Sequence, residues 1–421
     1  MEKHIVIIGG GFAGVNLIKK LNKCQDYRIT LVDRNNYNFF PPLLYQVSTG
    51  YLDPSSITFP FRNLFRDQSN FNFHMGSLLE VKPVEKKVIL DTGELSYDIL
   101  VLATGTQTNF FGLDNCQTHA IPMKTLEDAL EMRNTLLQRL EQASRIKDKS
   151  MRLPYLNMVI AGGGPTGVEI SGVFAELRNN TIRKEFPELV GSGSRIYLVN
   201  GGGELLSPMS EKSQKYTLDK LQEMGVEVLL NTRVVDYDGE KVLMKDGSHI
   251  YSKNLIWATG VTGYRFQGIA DTCYQRGNRI AVDDTNKIIG EDSIYVIGDA
   301  SLMTSDSAFP EGHPQLAQVA MQQGTTLAKN LKRITQNKDM LPFKYNDKGS
   351  LAIIGSNKAV ADLPEKIHFD GFLAWFIWVF VHLFALIDYR NRARTFYNWS
   401  VEYFTKNQDL RLIIRPKSDR N

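Results

Sequence analysis

Three cysteines in 421 residues, Cys24, Cys116 and Cys273, are too few and too scattered to frame a small fold with disulfides. No two form a C-x-x-C pair, which speaks against a dithiol redox centre and fits a reducing compartment. The seven histidines fall at no ligand spacing, so no metal site is expected. A net charge of +3 leaves no electrostatic footprint for nucleic acid. No signal-peptide pattern precedes the first apolar strand, which starts within a few residues of Met1, so an intracellular protein is expected. One apolar run is long, at residues 372–387, and it falls short of the roughly 20 residues that cross a bilayer. The remaining composition, 43% hydrophobic and 23% charged, is that of a globular chain long enough for two or three domains.

Glycine, by contrast, is concentrated where it means something. Gly9-Gly10-Gly11-Phe12-Ala13-Gly14 and Gly162-Gly163-Gly164-Pro165-Thr166-Gly167 are two fingerprints of one type, about 150 residues apart. Each follows a β-branched apolar run (4–8; 158–161) and opens a helix-prone stretch (15–21; 168–177). In such a unit the first glycine makes the tight turn and the second lets backbone approach a pyrophosphate. The third lets helix pack on strand, with the phosphates at the helix N-terminus. One G-x-G-x-x-G is a weak signal, but two copies in strand–turn–helix context point to two dinucleotides.

The repeat extends further. After the first fingerprint, a strand at 27–32 ends in Asp33, where an acid accepts hydrogen bonds from a ribose. An aromatic, Pro- and Asn-rich segment at 35–46 follows, expected to be irregular and to pack over a flat ligand. Alternation at 77–90 reads as strand, and 99–105 closes the unit in Ala103-Thr104-Gly105. A charged helix-prone stretch, 124–149, leads to the second unit, whose strands at 195–200 and 226–230 precede one ending in Ala258-Thr259-Gly260. A strand ending in Ala-Thr-Gly in each copy marks a duplication. A third strand–turn–helix is expected at 294–300 and a helix at 315–334, carrying Gln318, Gln322 and Gln323. Glu169 stands just past the second fingerprint, in what reads as the first helical turn. There an acid suits the dipole or, buried by stacked rings, could carry a raised pKa and move protons.

The tail differs in kind. Its aromatic run is followed by Arg390, Arg392 and Arg394, then Phe396, Tyr397 and Trp399. Rings flanked by guanidiniums suit the headgroup layer of a membrane. A buried subunit interface and a true span are the other readings.

With these residues in view, the chain resembles the type II NADH dehydrogenases, single-subunit NADH:quinone oxidoreductases of the two-dinucleotide-binding-domain flavoprotein superfamily. The resemblance rests on GGGFAG with Asp33, PPLLYQVSTG (41–50), MKTLEDAL (123–130), AGGGPTGVEISG (161–172), both Ala-Thr-Gly strands, YVIGDA (295–300), PQLAQVAMQQG (314–324) and the aromatic–arginine tail. It implies an α/β fold with two Rossmann-like, glutathione-reductase-like dinucleotide-binding domains and a C-terminal membrane-associating helical segment. The FAD domain would occupy 1–120 and 266–345, the NAD(P)H domain 121–265, and the anchoring and dimerisation region 346–421.

The same resemblance assigns roles. Gly9, Gly11, Gly14, Asp33, Thr104, Gly105, Asp299, Ala317 and Gln318 would hold FAD. Gly162, Gly164, Gly167, Asn200 and Gly260 would hold NADH, with the nicotinamide stacked on the flavin. Glu169, Gln46 and Gln318 are the expected catalytic residues, the two amides facing flavin and quinone. Implied partners are a membrane quinone, the lipid surface and a second copy, on the cytoplasmic face of the cell's inner membrane without crossing it. One departure stands out: the second Rossmann strand ends in Asn200 rather than a carboxylate, which leaves NADPH open beside NADH. A sulfide:quinone oxidoreductase on this scaffold, and an NADH-responsive binding module, are the competing readings; the first needs a cysteine pair by the flavin.

Overall fold

A computed structural model describes residues 2–405 and 411–414, so 406–410 and 415–421 of the expected C-terminal region lie outside the described residues. The chain forms two compact units. One comprises Met1–Phe39, Phe59–Gln107 and Val261–Asp347; the other comprises Phe40–Thr58, Thr108–Gly260 and Lys348–Asn421.

The first unit is built on a parallel sheet in the order Ile294–Val296, Ile99–Leu102, Lys3–Ile8, Tyr27–Asp33, Phe71–Met75. Ile5, Val6 and Ile7 are fully buried on alternating faces, as a strand covered on both sides demands. The first fingerprint helix, Phe12–Leu21, buries Val15, Leu17, Ile18 and Leu21. Against it lies Ala317–Ile334, so closely that a Cβ on Gly324 would stand 2.4 Å from the Ala13 carbonyl oxygen. The alternation at 77–90 becomes two antiparallel strands, Leu78–Lys82 and Lys87–Leu90. At 294–300 the expectation needs correction. Strand Ile294–Val296 runs into a 3₁₀ turn, Gly298–Ala300, and then another strand, Ser301–Met303. That strand is taken up by parallel pairing with Arg279–Val282, so the helix waits until Ala317.

In the second unit the parallel order is Ile121–Pro122, Asn254–Trp257, Met158–Ala161, Ile196–Val199, Val226–Leu229. The fingerprint strand again sits at the centre. A reciprocal cap, Thr125 with Asp128, starts the long helix Leu126–Arg145. The second fingerprint helix, Pro165–Glu176, passes directly into one stretch of π-helix, Leu177–Ile182. The segment at 35–46 is less irregular than its composition suggests: strand Tyr37–Phe39 still belongs to the first unit, and a 3₁₀ turn, Pro41–Leu43, then leads into a short helix, Leu44–Ser48, of the second. Its two prolines fit because they occupy the first positions of the turn, where no N–H is needed.

The C-terminal part of this unit is an antiparallel sheet, Ser350–Gly355, Lys358–Leu363 and Ile367–Asp370, followed by two helices. The second fingerprint helix crosses the first of these strands at Gly172, where a Cβ would fall 1.6 Å from the Ile354 carbonyl oxygen. The aromatic helix, Gly371–Ala385, turns Ala374 and Trp378 inward onto the sheet. Phe372, Phe376, Phe380 and Phe384, four residues apart, are each more than half exposed and form one outward stripe. The final helix, Tyr389–Thr405, is pinned by Asn391 Nδ2 donating to the Thr58 carbonyl (2.9 Å). No helix among the described residues is long and apolar enough to cross a membrane.

Candidate functional site

Both fingerprints share one construction. Gly9 has φ +104° and Gly162 φ +114°, and a Cβ at either would meet the carbonyl oxygen of Ala103 (2.3 Å) or Ala258 (2.5 Å). Gly14 and Gly167 would each collide with the oxygen of their own first glycine, at 2.1 and 1.8 Å. Gly11 and Gly164, by contrast, face open space. Each is the N-cap of its helix, with no side-chain cap and no acid in the first turn. The free N–H groups and the positive helix end therefore suit a phosphate, and that cradle fits a dinucleotide in each unit.

Asp33 and Asn200 then do related jobs. Asp33 accepts the Gly10 N–H (2.7 Å) and the Asn35 N–H (2.8 Å), while burial pushes its pKa up. Asn200 Oδ1 accepts the Gly163 N–H (3.1 Å), and its Nδ2 donates to the carbonyls of Glu204 (2.8 Å) and Gly202 (3.2 Å). The carboxamide thus shapes its own loop. Exposed Glu204 carries the nearest acid in that loop. Across Gly201 lies Arg233, whose Nε would be 2.8 Å from a Cβ there. Gly260, at φ +81°, ends the central strand's neighbour beside the Phe111 ring.

In the first unit Gly105 takes φ +64°, and Thr104 lies against Gly9. Asp299 sits in the 3₁₀ turn after Gly298, which packs on Ala13, and Gln315 Nε2 donates to the Asp299 carbonyl (3.1 Å). Ala317 and Gln318 open a helix that also lacks a side-chain cap. Gln323, named from sequence on this helix but given no role, is buried: its Oε1 accepts the Gly298 N–H (2.7 Å) and fixes the turn that presents Asp299.

Gln46 and Glu169 come together in the second unit, in an apolar slot of about 240 Å³ lined also by Tyr45, Trp375, Trp378 and Trp399. Gln46 Nε2 donates to the Tyr45 hydroxyl (2.9 Å), and its Oε1 accepts Trp399 Nε1–H (2.6 Å). Glu169 lies beyond the first turn of its helix, not within it, so the dipole argument made from sequence does not apply. Its pKa is raised well above the usual carboxylate range, mainly because its carboxyl group is withdrawn from water; a backbone hydrogen bond from Ile353 pulls the other way. Tyr45 is raised too, by burial first and by the Glu169 charge second. Neither Trp378 nor Trp399 was singled out as a slot residue from sequence. Trp378 is buried, and its indole N–H has no partner among the described residues. Stacked on it, His382 is pulled down to about 4 by burial and stays neutral near neutral pH.

The three cysteines are free. Cys116 is buried in the core of the second unit and pushed up to about 11, whereas Cys24 and Cys273 belong to the first unit. No cluster of metal-ligating side chains occurs among the described residues.

Two family profiles cover most of the chain: pyridine nucleotide-disulphide oxidoreductase over 3–324 and the NDH2 C-terminal domain over 348–406. A type II NADH:quinone oxidoreductase of Mycobacterium tuberculosis is 33% identical over 417 residues, covering 96% of this chain and 88% of that protein. Another from Haemophilus influenzae is 29% identical, over 86% of this chain and 88% of its own. Among solved structures, NDH2 of Plasmodium falciparum in complex with NADH superposes with a TM-score of 0.90 at 22% identity, covering 99% of this chain and 100% of that one. The sulfide:quinone oxidoreductase of Aquifex aeolicus shares the fold more distantly, with a TM-score of 0.73 at 19% identity over 96% of each chain. On these grounds the chain belongs to the pyridine nucleotide-disulphide oxidoreductases and, within them, to the type II NADH:quinone oxidoreductase family.

Proposed function

We propose that this chain is a non-proton-pumping, FAD-dependent NADH:quinone oxidoreductase. The observation that carries the reading is the doubled glycine cradle, one per unit, together with a separate apolar slot that holds polar groups at Gln46, Glu169 and Trp378. Gly9, Gly11, Gly14, Asp33, Thr104, Gly105, Asp299, Ala317 and Gln318 would hold FAD in the first cradle, where it would supply hydride acceptance and two-electron release. NADH belongs in the second, held by Gly162, Gly164, Gly167, Asn200 and Gly260.

The slot suits a quinone head. Its apolar walls exclude water, and the orphaned Trp378 N–H is a donor awaiting a carbonyl acceptor. Tyr45 and Trp399 fix the Gln46 amide from both sides, so its remaining N–H is pre-aimed without bringing charge into the slot. Quinone reduction also consumes two protons. Glu169, protonated over a wider pH range than an exposed acid, supplies one from within hydrophobic surroundings and regains it from solvent.

A long-tailed quinone stays in the bilayer. The outward phenylalanine stripe, with Arg390 and Arg394 on the following helix, therefore seats the protein on the membrane surface. Attachment to the cytoplasmic face and assembly as a homodimer complete the reading, both carried by the family likeness. Adding NADH anaerobically should bleach the flavin, and a short-chain quinone should restore its colour. Protein that neither contains nor takes up flavin would overturn the proposal, and the sulfide alternative would need sulfide to bleach it.

A further inference from the structure

Another cavity of the second unit is larger than the slot. About 440 Å³ in volume, it lies on the other side of the second fingerprint helix, where Phe174 and Leu177 face it while Glu169 and Val173 face the slot. Its floor is the long helix, through Leu136, Leu137 and Leu140, and the π-helical stretch Leu177–Ile182 forms a wall. This size falls in the range of small-molecule sites, and π-helical turns concentrate at functional places.

Into this aliphatic space projects Arg133, only 5% exposed. It makes no hydrogen bond to any described residue, and its buried Nε has no partner. Asp53 acts on it only through space, without an ion pair. Of the other cations lining the cavity, Arg183 is exposed to solvent, Arg411 Nε donates to Glu185 Oε2 (3.1 Å), and Arg178 donates to the Met224 and Gly225 carbonyls (3.2 Å each). Ser48 and Thr49, which also line the space, give their hydroxyl protons to the Tyr45 carbonyl (2.8 Å each). A buried, unpaired guanidinium among leucines is costly, and nothing in the packing of the helix requires it. Arg133 is the buried cation of the lining whose guanidinium lacks a partner, so the complement is an anionic acceptor; Leu136, Leu137, Leu140, Phe174 and Leu177 face the same space, so the complement carries a hydrocarbon chain.

We propose that this cavity is a binding site for an anionic amphiphile, a single acid head on an aliphatic chain, with Arg133 holding the head. The site stands apart from the redox reading and would persist if that reading failed. Calorimetric titration of the purified holoprotein with dodecanoate, dodecyl phosphate and dodecanol, each below its micellar concentration, tests it. One anion per chain should bind at least tenfold more tightly than the alcohol; preference between carboxylate and phosphate distinguishes a free fatty acid from a phosphate-headed lipid.

Arg133→Met should reduce dodecanoate to the level of dodecanol. Leu140→Trp, which fills the cavity and keeps the charge, should abolish binding of all three. The double variant Arg390→Gln, Arg394→Gln controls for anions collecting on the exposed helix and should change nothing. If Arg133→Met does not retain flavin, Arg133→Lys substitutes for it and should keep the preference for anion over alcohol at lower affinity. Dodecanol binding as tightly as dodecanoate, or full dodecanoate affinity in Arg133→Met or Leu140→Trp, would overturn the proposal.

Discussion

The indole of Trp399 donates a 2.6 Å hydrogen bond to the side-chain oxygen of Gln46, joining residues 353 positions apart across one slot. The last helix is therefore part of the wall that orients Gln46. Replacing Trp399 with Phe keeps most of the ring and removes the donor, at a cost of about 1 kcal/mol. The KM for a short-chain quinone should rise roughly fivefold, with flavin content and reduction of ferricyanide by NADH unchanged. An unchanged KM would remove Gln46 positioning from the account.

Trp378 offers a contrasting case, since its N–H has no partner among the described residues to lose. Trp378→Phe should leave the melting temperature within a few degrees of the parent and still weaken quinone binding. A large loss of stability with normal quinone kinetics would mark the indole as a packing residue only.

For Glu169 the sign of the pH effect follows from its raised pKa. The folded state holds the proton more tightly than the unfolded chain. Stability from this group is complete below the unfolded carboxylate pKa and declines as pH rises towards the folded value. Glu169→Gln cannot ionise, so its melting temperature relative to the parent should climb with increasing pH. Its turnover should fall at least several-fold, and the ionisation that the parent shows above the ordinary carboxylate range should vanish from the kcat profile. Parent-like turnover across neutral pH would exclude a proton-transfer role.

Nucleotide choice is the next test. Asn200 carries no charge where the proposed NADH site would take the ribose, and the Arg233 side chain borders the same loop with no hydrogen-bond partner among the described residues. NADPH should be oxidised at a measurable rate, Arg233→Ala should lower its kcat/KM about tenfold without touching NADH, and Asn200→Glu should sharpen the preference for NADH. Parent discrimination above roughly a thousandfold, about 4 kcal/mol, would mean that another residue reads this position.

Membrane attachment calls for surface changes, because Trp378 and Ala374 make removal of the whole aromatic helix a change to the core. Phe376→Ser with Phe380→Ser alters only the outward stripe. The variant should stop sedimenting with anionic vesicles, keep its flavin and its reaction with soluble acceptors, and lose long-chain quinone reduction. Continued sedimentation would locate the anchor elsewhere.

Much of the nucleotide-binding architecture was readable because glycines carry conformational information locally: Gly9, Gly14, Gly162 and Gly167 each stand where a Cβ has no room. The slot was only half legible. Gln46 and Glu169 could be named, but nothing in the local pattern couples Trp399 to Gln46, and an aromatic tail looks alike whether its indoles face lipid or a cavity. The role of Gln323 was hidden in the same way, as its task is to fasten a turn 25 residues upstream. Arg133 lay inside a stretch that read simply as charged helix, where burial of one cation leaves no periodic trace.

The contact of Gly324 with Ala13 has a consequence for how the protein is made. The helix against which the first fingerprint helix packs is separated from it by the entire 108–260 segment of the other unit. On a ribosome, the amino-terminal strands emerge first, yet their sheet lacks an edge strand until Val296 and their helix lacks its partner until Ile334. The first part synthesised is thus among the last to be finished, and the newborn chain meets its flavin only after most of its length has been translated.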